Sequence, residues 1–250
     1  MSLIDHLDQR THLDGDARHR QQYVTAMFEE IAPRYDSFTR WFSYGMDAGW
    51  KRELVAAVVR HAPTGTRNIR DLACGTGDLA RSMAEALPDA RVEGIDVAAG
   101  MIARAGQHPR VSYRVGDATI LPDGDGSIDV VSVGYGLRNF PDHRATLVEI
   151  SRVLRPGGIV AILEFTRPRW LIWRWLLLCY LWTAGMLYGW LWHRHGPVYG
   201  YIAHSIARFV TRRQLIADCA AAGLAMLHEG SSLGGGMCIL VACKAARPCG

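Results

Sequence analysis

Short apolar runs and amphipathic segments alternate in a regular order along the middle of this chain. The apolar runs predict buried strands, and the segments between them, with apolar residues three and four positions apart, predict helices. Strands separated by helices of this length indicate parallel strands joined by right-handed crossovers. The predicted strands are 69–73, 91–97, 111–115, 128–134 and 159–165, and the predicted helices are 78–86, 100–107 and 144–154.

The two ends of the chain follow other patterns. Residues 1–20 are polar and predict a leader before one domain at 21–250, of which 21–61 is helical. The C-terminal pattern predicts a helix at 214–222 and strands at 225–230 and 237–244. The expected fold class is therefore α/β: a Rossmann-like, seven-stranded, mostly parallel sheet with an antiparallel C-terminal strand and an N-terminal helical lid.

The composition mainly excludes classes of function. Hydrophobic residues make up 49% and charged residues 21%, and a formal charge of +4 is too weakly basic to indicate a nucleic-acid partner. The six cysteines are scattered without metal-ligand spacing, and the polar N-terminus does not predict a signal peptide. We expect reduced thiols in a cytoplasmic protein and no metal, with His193 and His195 as surface histidines.

The sequence DLACGTGDLA, residues 71–80, places a glycine loop between a predicted strand and a predicted helix. Gly75 and Gly77 allow the backbone to turn tightly and approach a ligand, and the start of the helix presents free N–H groups. Asp96 ends the next predicted strand, where a carboxylate accepts hydrogen bonds from ribose hydroxyls. Taken alone, these features also match a dinucleotide site, which leaves an NAD oxidoreductase and a packing role for the glycines as alternatives.

Two further carboxylates favour S-adenosylmethionine as the cofactor. Asp71 precedes the glycine loop, where it suits a cationic amino-acid group better than an anionic pyrophosphate. Asp117 follows the third predicted strand, where it could accept a hydrogen bond from an adenine amino group. One carboxylate at each of the first three strands matches a ligand that joins an adenosyl group to a cationic amino acid.

In these motifs the chain resembles the ubiquinone/menaquinone C-methyltransferases of the UbiE type, which are class I S-adenosylmethionine-dependent methyltransferases. The tetrapeptide GLRN before FPD and the LEF strand after RPGG distinguish this family from methyltransferases in general. The resemblance covers most of the chain beyond its first twenty residues. Five segments carry it: MFEEIAPRYDSFTRWFSYGMDAGWK (27–51), DLACGTGDLA (71–80), GIDVAAGMI (94–102), GDATILPDGDGSIDVVSVGYGLRNFPD (116–142) and RVLRPGGIVAILEFTRP (152–168).

The resemblance implies methylation of a prenylated demethylquinol at a ring carbon in respiratory quinone biosynthesis. Arg138 of GLRN and Tyr35 of RYD match residues proposed in the family to act at the substrate ring. Alternatively, Arg138 pairs with an acid such as Asp142, and Tyr35 is an aromatic residue packed in the lid. The cofactor-lining positions that the resemblance implies are Thr76, Asp96, Asp117, Ala118 and Gly134.

Arginine is always cationic and is therefore a poor direct base. We expect Arg138 to lower the pKa of the substrate phenol or to polarise a water molecule that takes its proton. Tyr35 could orient the ring or relay a proton. Closure of the helical lid would exclude water and strengthen these interactions.

A Trp-rich helical insertion, 170–200, interrupts the pattern before the last elements. Its central part, 175–192, holds no charged residue and reaches the lower length limit for a membrane span. A single crossing would place the last strand on the opposite side of the membrane from the rest of the sheet. We therefore interpret the segment as a helical pair split near Gly185. It either packs on the domain or in a homodimer interface, or receives a polyprenyl tail and touches the inner face of the membrane.

Other functions stay open at this point. A methyltransferase of the same type could act on a phospholipid amine or a specialised metabolite, and a non-catalytic chain could serve as a scaffold in a quinone-biosynthesis assembly. The intact glycine loop and the three acidic positions argue against the scaffold. Nothing in the sequence distinguishes a benzoquinol from a naphthoquinol.

Overall fold

A seven-stranded sheet forms the centre of the structure, a computed structural model that describes residues 17–193 and 197–245. The strand order is β3-β2-β1-β4-β5-β7-β6; neighbours from β3 to β5 pair in parallel, and β7 is antiparallel to both β5 and β6. The predicted fold class is confirmed. The strands are β1 (Asn68–Leu72), β2 (Arg91–Asp96), β3 (Val111–Val115), β4 (Ile128–Gly134), β5 (Leu154–Phe165), β6 (Leu224–Ser232) and β7 (Met237–Lys244).

Helices cover both faces of the sheet. Single 3-10 turns at Ala32–Arg34, Leu137–Asn139 and Leu233–Gly235 join some of them to their neighbours. The helices are α1 (Ala17–Ile31), α2 (Tyr35–Phe42), α3 (Met46–His61), α4 (Asp78–Ala86), α5 (Ala99–Ile102), α6 (His143–Val153), α7 (Leu171–His193), α8 (Pro197–Arg208) and α9 (Arg212–Ala221).

The central strands are apolar along nearly their whole length because both faces of the sheet are covered. Successive residues of β4 point to opposite sides: Val130 packs in the core beside α3 and α4, and Val131 packs in the core beside α6 and α9. A third apolar cluster lies away from the sheet, where α1 meets α7 and α8. It buries Tyr23, Met27 and Ile31, the α1 residues at helical spacing.

Three predicted boundaries are wrong, and one of them is the start of β5, which lies at Leu154 and not at residue 159. Helix α1 begins at Ala17, within the segment predicted as a leader, while residues 1–16 lie outside the described part of the chain. Helix α5 is a single turn, Ala99–Ile102, and does not reach residue 107. Gly106 and Pro109 follow it, and both residue types interrupt helices.

Residues 171–193 of the Trp-rich insertion form one continuous helix, and the predicted split near Gly185 is wrong. Helix α7 runs through Gly185 and packs along α8, which is therefore the second member of the helical pair. One glycine costs a helix about 1 kcal/mol relative to alanine, which is too little to break a helix supported by tertiary packing. Among the described residues, no helix combines the length and the apolar character needed to cross a membrane.

Within the described ranges, the cysteines and histidines form neither a disulfide nor a metal site. The five cysteines that lie there are free thiols, and Cys249 lies outside them. No group of three His, Cys, Asp or Glu side chains in the same ranges is placed to hold a metal ion. His195 lies outside the described residues, and so the structure does not bear on the H-x-H motif.

Candidate active site

The glycine loop lies at the carboxyl end of β1, next to the point where the strand order reverses between β1 and β4. Ligands of open α/β sheets bind at such a switch point. The loop uses left-handed backbone conformations, with φ of +55° at Gly75 and +78° at Gly77. The Gly75 N–H donates to Asp96 Oδ2 at 2.8 Å, so the loop and the end of β2 form one rigid unit.

Gly77 is required by a close approach as well as by its backbone angle. A Cβ atom at this position would lie 2.2 Å from the hydroxyl oxygen of Tyr113, a residue of β3. At Gly75 a Cβ atom would lie 3.9 Å from Tyr35 Cε1, which is ordinary contact. The two glycines therefore have different roles: Gly77 packs the loop against the sheet, and Gly75 keeps the cleft beside Tyr35 open.

Asp71 is almost fully buried at the end of β1, with 1% of its surface exposed. Its Oδ1 accepts a hydrogen bond from Ser132 Oγ at 2.7 Å, and its Oδ2 has no hydrogen-bond partner among the described residues. Burial raises the pKa of this carboxyl to about 7, against the opposing effect of the Ser132 hydrogen bond. A buried carboxylate oxygen without a partner is a position that a cationic ligand group would satisfy.

Asp71 lines a large polar cleft with an empty volume of about 1390 Å³, together with Cys74, Gly75 and Thr76. Lys51 of α3 closes one side of this cleft and contacts two carboxylates, Asp47 at 2.8 Å and Asp78 at 2.7 Å. Burial lowers the pKa of Lys51, but the two carboxylates outweigh burial and raise it above the usual value. The ion pairs join the lid to the start of α4.

Asp96, Asp117, Ala118 and Gly134 line an adjoining cleft of about 650 Å³. Asp96 is nearly buried; it accepts hydrogen bonds from the backbone N–H groups of Gly75 and Ala98, and burial raises its pKa. Asp117 is exposed and accepts hydrogen bonds from the Thr119 side chain and backbone. The structure thus brings the predicted cofactor residues to two adjoining clefts, with one exception: Gly77 lines neither of them.

The residues present fit S-adenosylmethionine. The unpartnered oxygen of Asp71 suits the cationic amino-acid group, and the left-handed glycines leave room for a ligand to lie against the loop. Carboxylates at the ends of β2 and β3 suit the ribose hydroxyls and the adenine amino group. When bound, this cofactor supplies a methyl group on a positively charged sulfur.

A third pocket, of about 620 Å³, lies on the lid side of the two clefts and is lined mainly by apolar and aromatic residues. Tyr35 and Tyr135 line this pocket and both clefts, so all three spaces meet at these two side chains. Among the described residues that line the apolar pocket, Arg138 is the only arginine. This arrangement places one guanidinium in a mainly apolar pocket that also contains the Asp47 carboxylate.

Arg138 pairs with Glu164 of β5 and not with Asp142. Its Nη1 lies 2.5 Å from Glu164 Oε1 and also donates to the Tyr135 carbonyl at 2.7 Å, and its Nε donates to Ser205 Oγ at 3.3 Å. Burial lowers the pKa of the guanidinium, but Glu164 outweighs burial and raises it. Asp142 caps α6 instead, accepting from the backbone N–H groups that begin the helix.

These contacts leave Nη2 as the Arg138 nitrogen without a hydrogen bond to the described residues. The guanidinium plane also lies near the Phe165 ring, at 5.6 Å from the centroid. Arg138 is therefore held by four neighbours in one orientation. Only one of its nitrogens is available to a ligand.

Tyr35 begins α2 and packs edge-on against Phe28, with ring centroids 6.0 Å apart. Burial raises the pKa of its phenol, although the charges of Lys51 and Arg138 oppose the shift. The hydroxyl therefore stays protonated across the physiological pH range. It is suited to donate a hydrogen bond or to orient a ring, and not to act as an anionic base.

Sequence reasoning missed several residues of the site. Tyr135 has a left-handed backbone, with φ of +61°, and its hydroxyl donates to Asp47 at 2.6 Å, which ties β4 to α3. Glu29 of α1 accepts the Gly100 N–H at 2.9 and 3.0 Å and so ties the lid to α5. Glu164 had a signal in the sequence: a single carboxylate in an otherwise apolar strand, which predicts a buried partner.

Comparison with known proteins agrees with this geometry. A demethylmenaquinone methyltransferase of Thermus thermophilus is 38% identical over 208 residues, covering 81% of this chain and 93% of the relative. A ubiquinone/menaquinone biosynthesis C-methyltransferase UbiE of Rubrivivax gelatinosus is 36% identical over 234 residues, covering 92% of this chain and 90% of the relative. Among solved structures, a Haloferax volcanii methyltransferase in complex with the Trm112 activator superposes with a TM-score of 0.56 at 19% identity, covering 84% and 98%.

The fold and the acidic clefts together define a class I S-adenosylmethionine-dependent methyltransferase. This class excludes the NAD oxidoreductase considered from the glycine loop alone. The chain belongs to the ubiE/COQ5 methyltransferase family, whose sequence profile matches residues 16–244.

Proposed function

We propose that this enzyme transfers a methyl group from S-adenosylmethionine to a ring carbon of a prenylated demethylquinol. One observation carries the proposal: the cofactor clefts and the apolar pocket that contains Arg138 meet at Tyr35 and Tyr135. A flat ring in the apolar pocket would therefore lie beside the methyl donor. The two relatives, which are named for demethylmenaquinone and for ubiquinone and menaquinone biosynthesis, support the same substrate class.

In this proposal Asp71 would receive the cationic amino-acid group and Gly75 and Thr76 would line the cofactor, while Gly77 holds the loop against the sheet. Asp96 binds the ribose hydroxyls. Ala118 and Gly134 would line the adenine site, and Asp117 would accept a hydrogen bond from the adenine amino group. Support comes from the shared clefts and from the unpartnered Asp71 oxygen.

Carbon methylation requires an electron-rich ring carbon, which a hydroquinone provides once a neighbouring hydroxyl loses its proton to a water molecule. After the methyl group bonds to the ring carbon, that carbon releases its own hydrogen as a proton to water, which restores the aromatic ring. Arg138 Nη2 donates a hydrogen bond to the oxygen of that hydroxyl and favours the phenolate, although Glu164 neutralises much of the arginine charge. Tyr35 stays protonated and orients the ring. Holding the ring carbon in line with the methyl group supplies a further rate advantage, and the apolar walls exclude bulk water.

The test is methyl transfer by the purified enzyme from labelled S-adenosylmethionine. The acceptors are prenylated demethylbenzoquinol, prenylated demethylnaphthoquinol and phosphatidylethanolamine, with products separated by mass spectrometry. We expect a ring-methylated quinol and no labelled phospholipid. Labelled phospholipid, or cofactor binding without any product, would contradict the proposal; the first result identifies a lipid-amine methyltransferase and the second a scaffold.

We further propose that the outward face of α7 rests on the membrane surface where the quinol resides. The indole rings on this face are largely exposed, and Arg169 and Arg174 flank them near the helix start. Exposed tryptophans beside arginines favour the headgroup region of an anionic bilayer. The outward-facing apolar residues are Trp170, Ile172, Trp175, Trp182 and Trp190, each more than half exposed.

Flotation with vesicles tests this contact. The wild-type protein is expected to float with phosphatidylcholine vesicles that contain phosphatidylglycerol, and the double variant W175E/W182E is expected to stay in the soluble fraction. Val148→Glu, at an exposed position of α6, is the matched control for an added carboxylate. Equal flotation of all three proteins, or none by the wild type, would contradict membrane contact through α7.

A further inference from the structure

An apolar groove continues from the apolar pocket toward α7. It has an empty volume of about 890 Å³ and shares Phe42, Ser43, Trp50 and Phe165 with the pocket that contains Arg138. Trp50 and Phe165 meet edge to face, with centroids 6.3 Å apart, at the boundary between the two spaces. The pocket and the groove therefore adjoin at these shared side chains.

One wall of the groove is the inner face of α7. Trp173, Leu176, Leu177, Tyr180 and Leu181 line it, at the three- and four-residue spacing of one helical face. The outward-facing tryptophans of the same helix lie on other positions. Helix α7 is thus apolar on two sides: one side lines the groove, and the other faces outward.

The opposite wall comes from the end of α2 and the turn that follows it. Tyr180 stacks on both Phe42 and Tyr44, with centroids 6.4 and 6.2 Å apart. Tyr44 and Met46 remain 76% and 41% exposed, although they border this apolar space. Large apolar side chains exposed along a continuous groove indicate a ligand that covers them.

Three of the polar side chains along the groove have partners within the chain. Trp173 Nε1 donates to the Leu233 carbonyl at 2.7 Å, and Tyr180 Oη donates to the Phe42 carbonyl at 3.5 Å. Ser43 Oγ donates to the Arg40 carbonyl and accepts from the Asp47 N–H. The groove therefore offers mainly hydrocarbon and aromatic surface, which favours an apolar ligand.

We infer that this groove binds the first isoprene units of the substrate's tail, while the apolar pocket holds the quinol ring. This inference rests on the proposed function, and it adds the subsite that distinguishes a tailed quinol from a tailless one. Ring and tail enter as one ligand: the polar end reaches Arg138, and the hydrocarbon end leaves between α2 and α7. The tail then emerges beside the outward face of α7.

Quinols with short tails test the groove without a bilayer. The series carries a methyl group, or one, two or three isoprene units, at the tail position of the same ring. For the wild type, kcat/KM is expected to rise at least about tenfold from the methyl compound to the two-unit compound, because buried methylene groups add binding energy. The measured quantity is the ratio of the two kcat/KM values, which cancels any difference in the amount of folded enzyme.

Leu176→Glu and Met46→Glu place a carboxylate in the groove at positions that are about half exposed. Each is expected to reduce the tailed-to-tailless ratio to within twofold of one. Val148→Glu, outside the groove, is expected to keep the wild-type ratio. A ratio near one in the wild type, or an unchanged ratio in both groove variants, would overturn the inference.

Two other outcomes are distinct. If the wild type methylates none of the four compounds of the series, the proposed function itself fails. If size-exclusion chromatography shows a wild-type dimer that Leu176→Glu converts to a monomer, the groove is an interface between two copies of this chain, and the tail assignment is wrong. Two results separate these cases from the tail assignment. Methylation of the tailless ring shows that the proposed function holds, and an unchanged assembly state in Leu176→Glu shows that the groove is not a dimer interface.

Discussion

Arg138 and Glu164 form an ion pair in the interior, with 2.5 Å between Nη1 and Oε1 and with 7% and 0% of their side chains exposed. Glu164 also accepts the backbone N–H groups of Arg138 and Phe165, at 3.1 and 2.7 Å. The carboxylate thus fixes both the side chain and the backbone of the 3-10 turn that carries GLRN. The pair places a nearly neutral donor, and not a free cation, beside the substrate pocket.

The first prediction concerns the shape of Arg138. Arg138→Lys keeps the positive charge for Glu164 but removes the planar guanidinium and its Nη2 donor. We expect kcat to fall by about 100-fold, the loss typical of one directed donor at a developing charge. The Kd for S-adenosylmethionine, measured by calorimetry, should stay within twofold of the wild-type value. A lysine variant with wild-type kcat would show that Arg138 is only a structural residue.

The second prediction concerns Glu164, a positioning residue. Glu164→Gln keeps the shape of the side chain but leaves the buried guanidinium without a counter-charge, which should lower the free energy of unfolding by about 3 kcal/mol. The extra positive charge should also lower the pKa of the bound phenol, because an adjacent cation favours the phenolate. The acidic limb of the kcat–pH profile should therefore move to lower pH. An unchanged limb with the expected loss of stability would limit Glu164 to a structural role.

The third prediction follows from the pKa of about 7 at Asp71. The ionised carboxylate binds the cationic group of the cofactor, and below pH 7 the free enzyme holds a proton that must first leave. Affinity for S-adenosylmethionine should therefore fall as pH falls, by about tenfold from pH 7.5 to pH 6. Calorimetry at both pH values checks this. Asp71→Asn should bind more weakly at pH 7.5 and lose most of the pH dependence; a wild-type slope in the variant would contradict the assignment.

The fourth prediction separates the two glycines of the loop. Gly75→Ala faces only the left-handed backbone penalty of about 1–2 kcal/mol, because its Cβ would have space. Gly77→Ala adds a clash with the Tyr113 ring and should destabilise the protein more strongly in denaturant titrations. Tyr113→Ala in the Gly77→Ala background should relieve the clash: the added cost of the glycine substitution should fall toward the backbone penalty alone. Equal costs in both backgrounds would contradict the steric explanation.

Much of the fold could be predicted because its signals are local. The apolar runs of β4 and β7 and the glycine loop followed by an amphipathic segment each define an element within a few residues. The boundaries at 128–134, 237–244, 111–115 and 78–86 agree with the structure. The single-turn α5 and the unbroken α7 were missed because tertiary packing, and not local preference, decides where these helices end.

The amino-acid sequence by itself determined the class of chemistry: glycines where the backbone must turn to the left, and carboxylates after three successive strands. These depend on residue type and spacing, which the chain carries without reference to its fold. Only the tertiary structure decided the partner of Arg138, the contact between Tyr135 and Asp47, and the groove between α2 and α7. Each of these joins segments far apart in the chain, and the physical reason is the same in all three: burial and charge neutralisation depend on which surfaces the fold brings together.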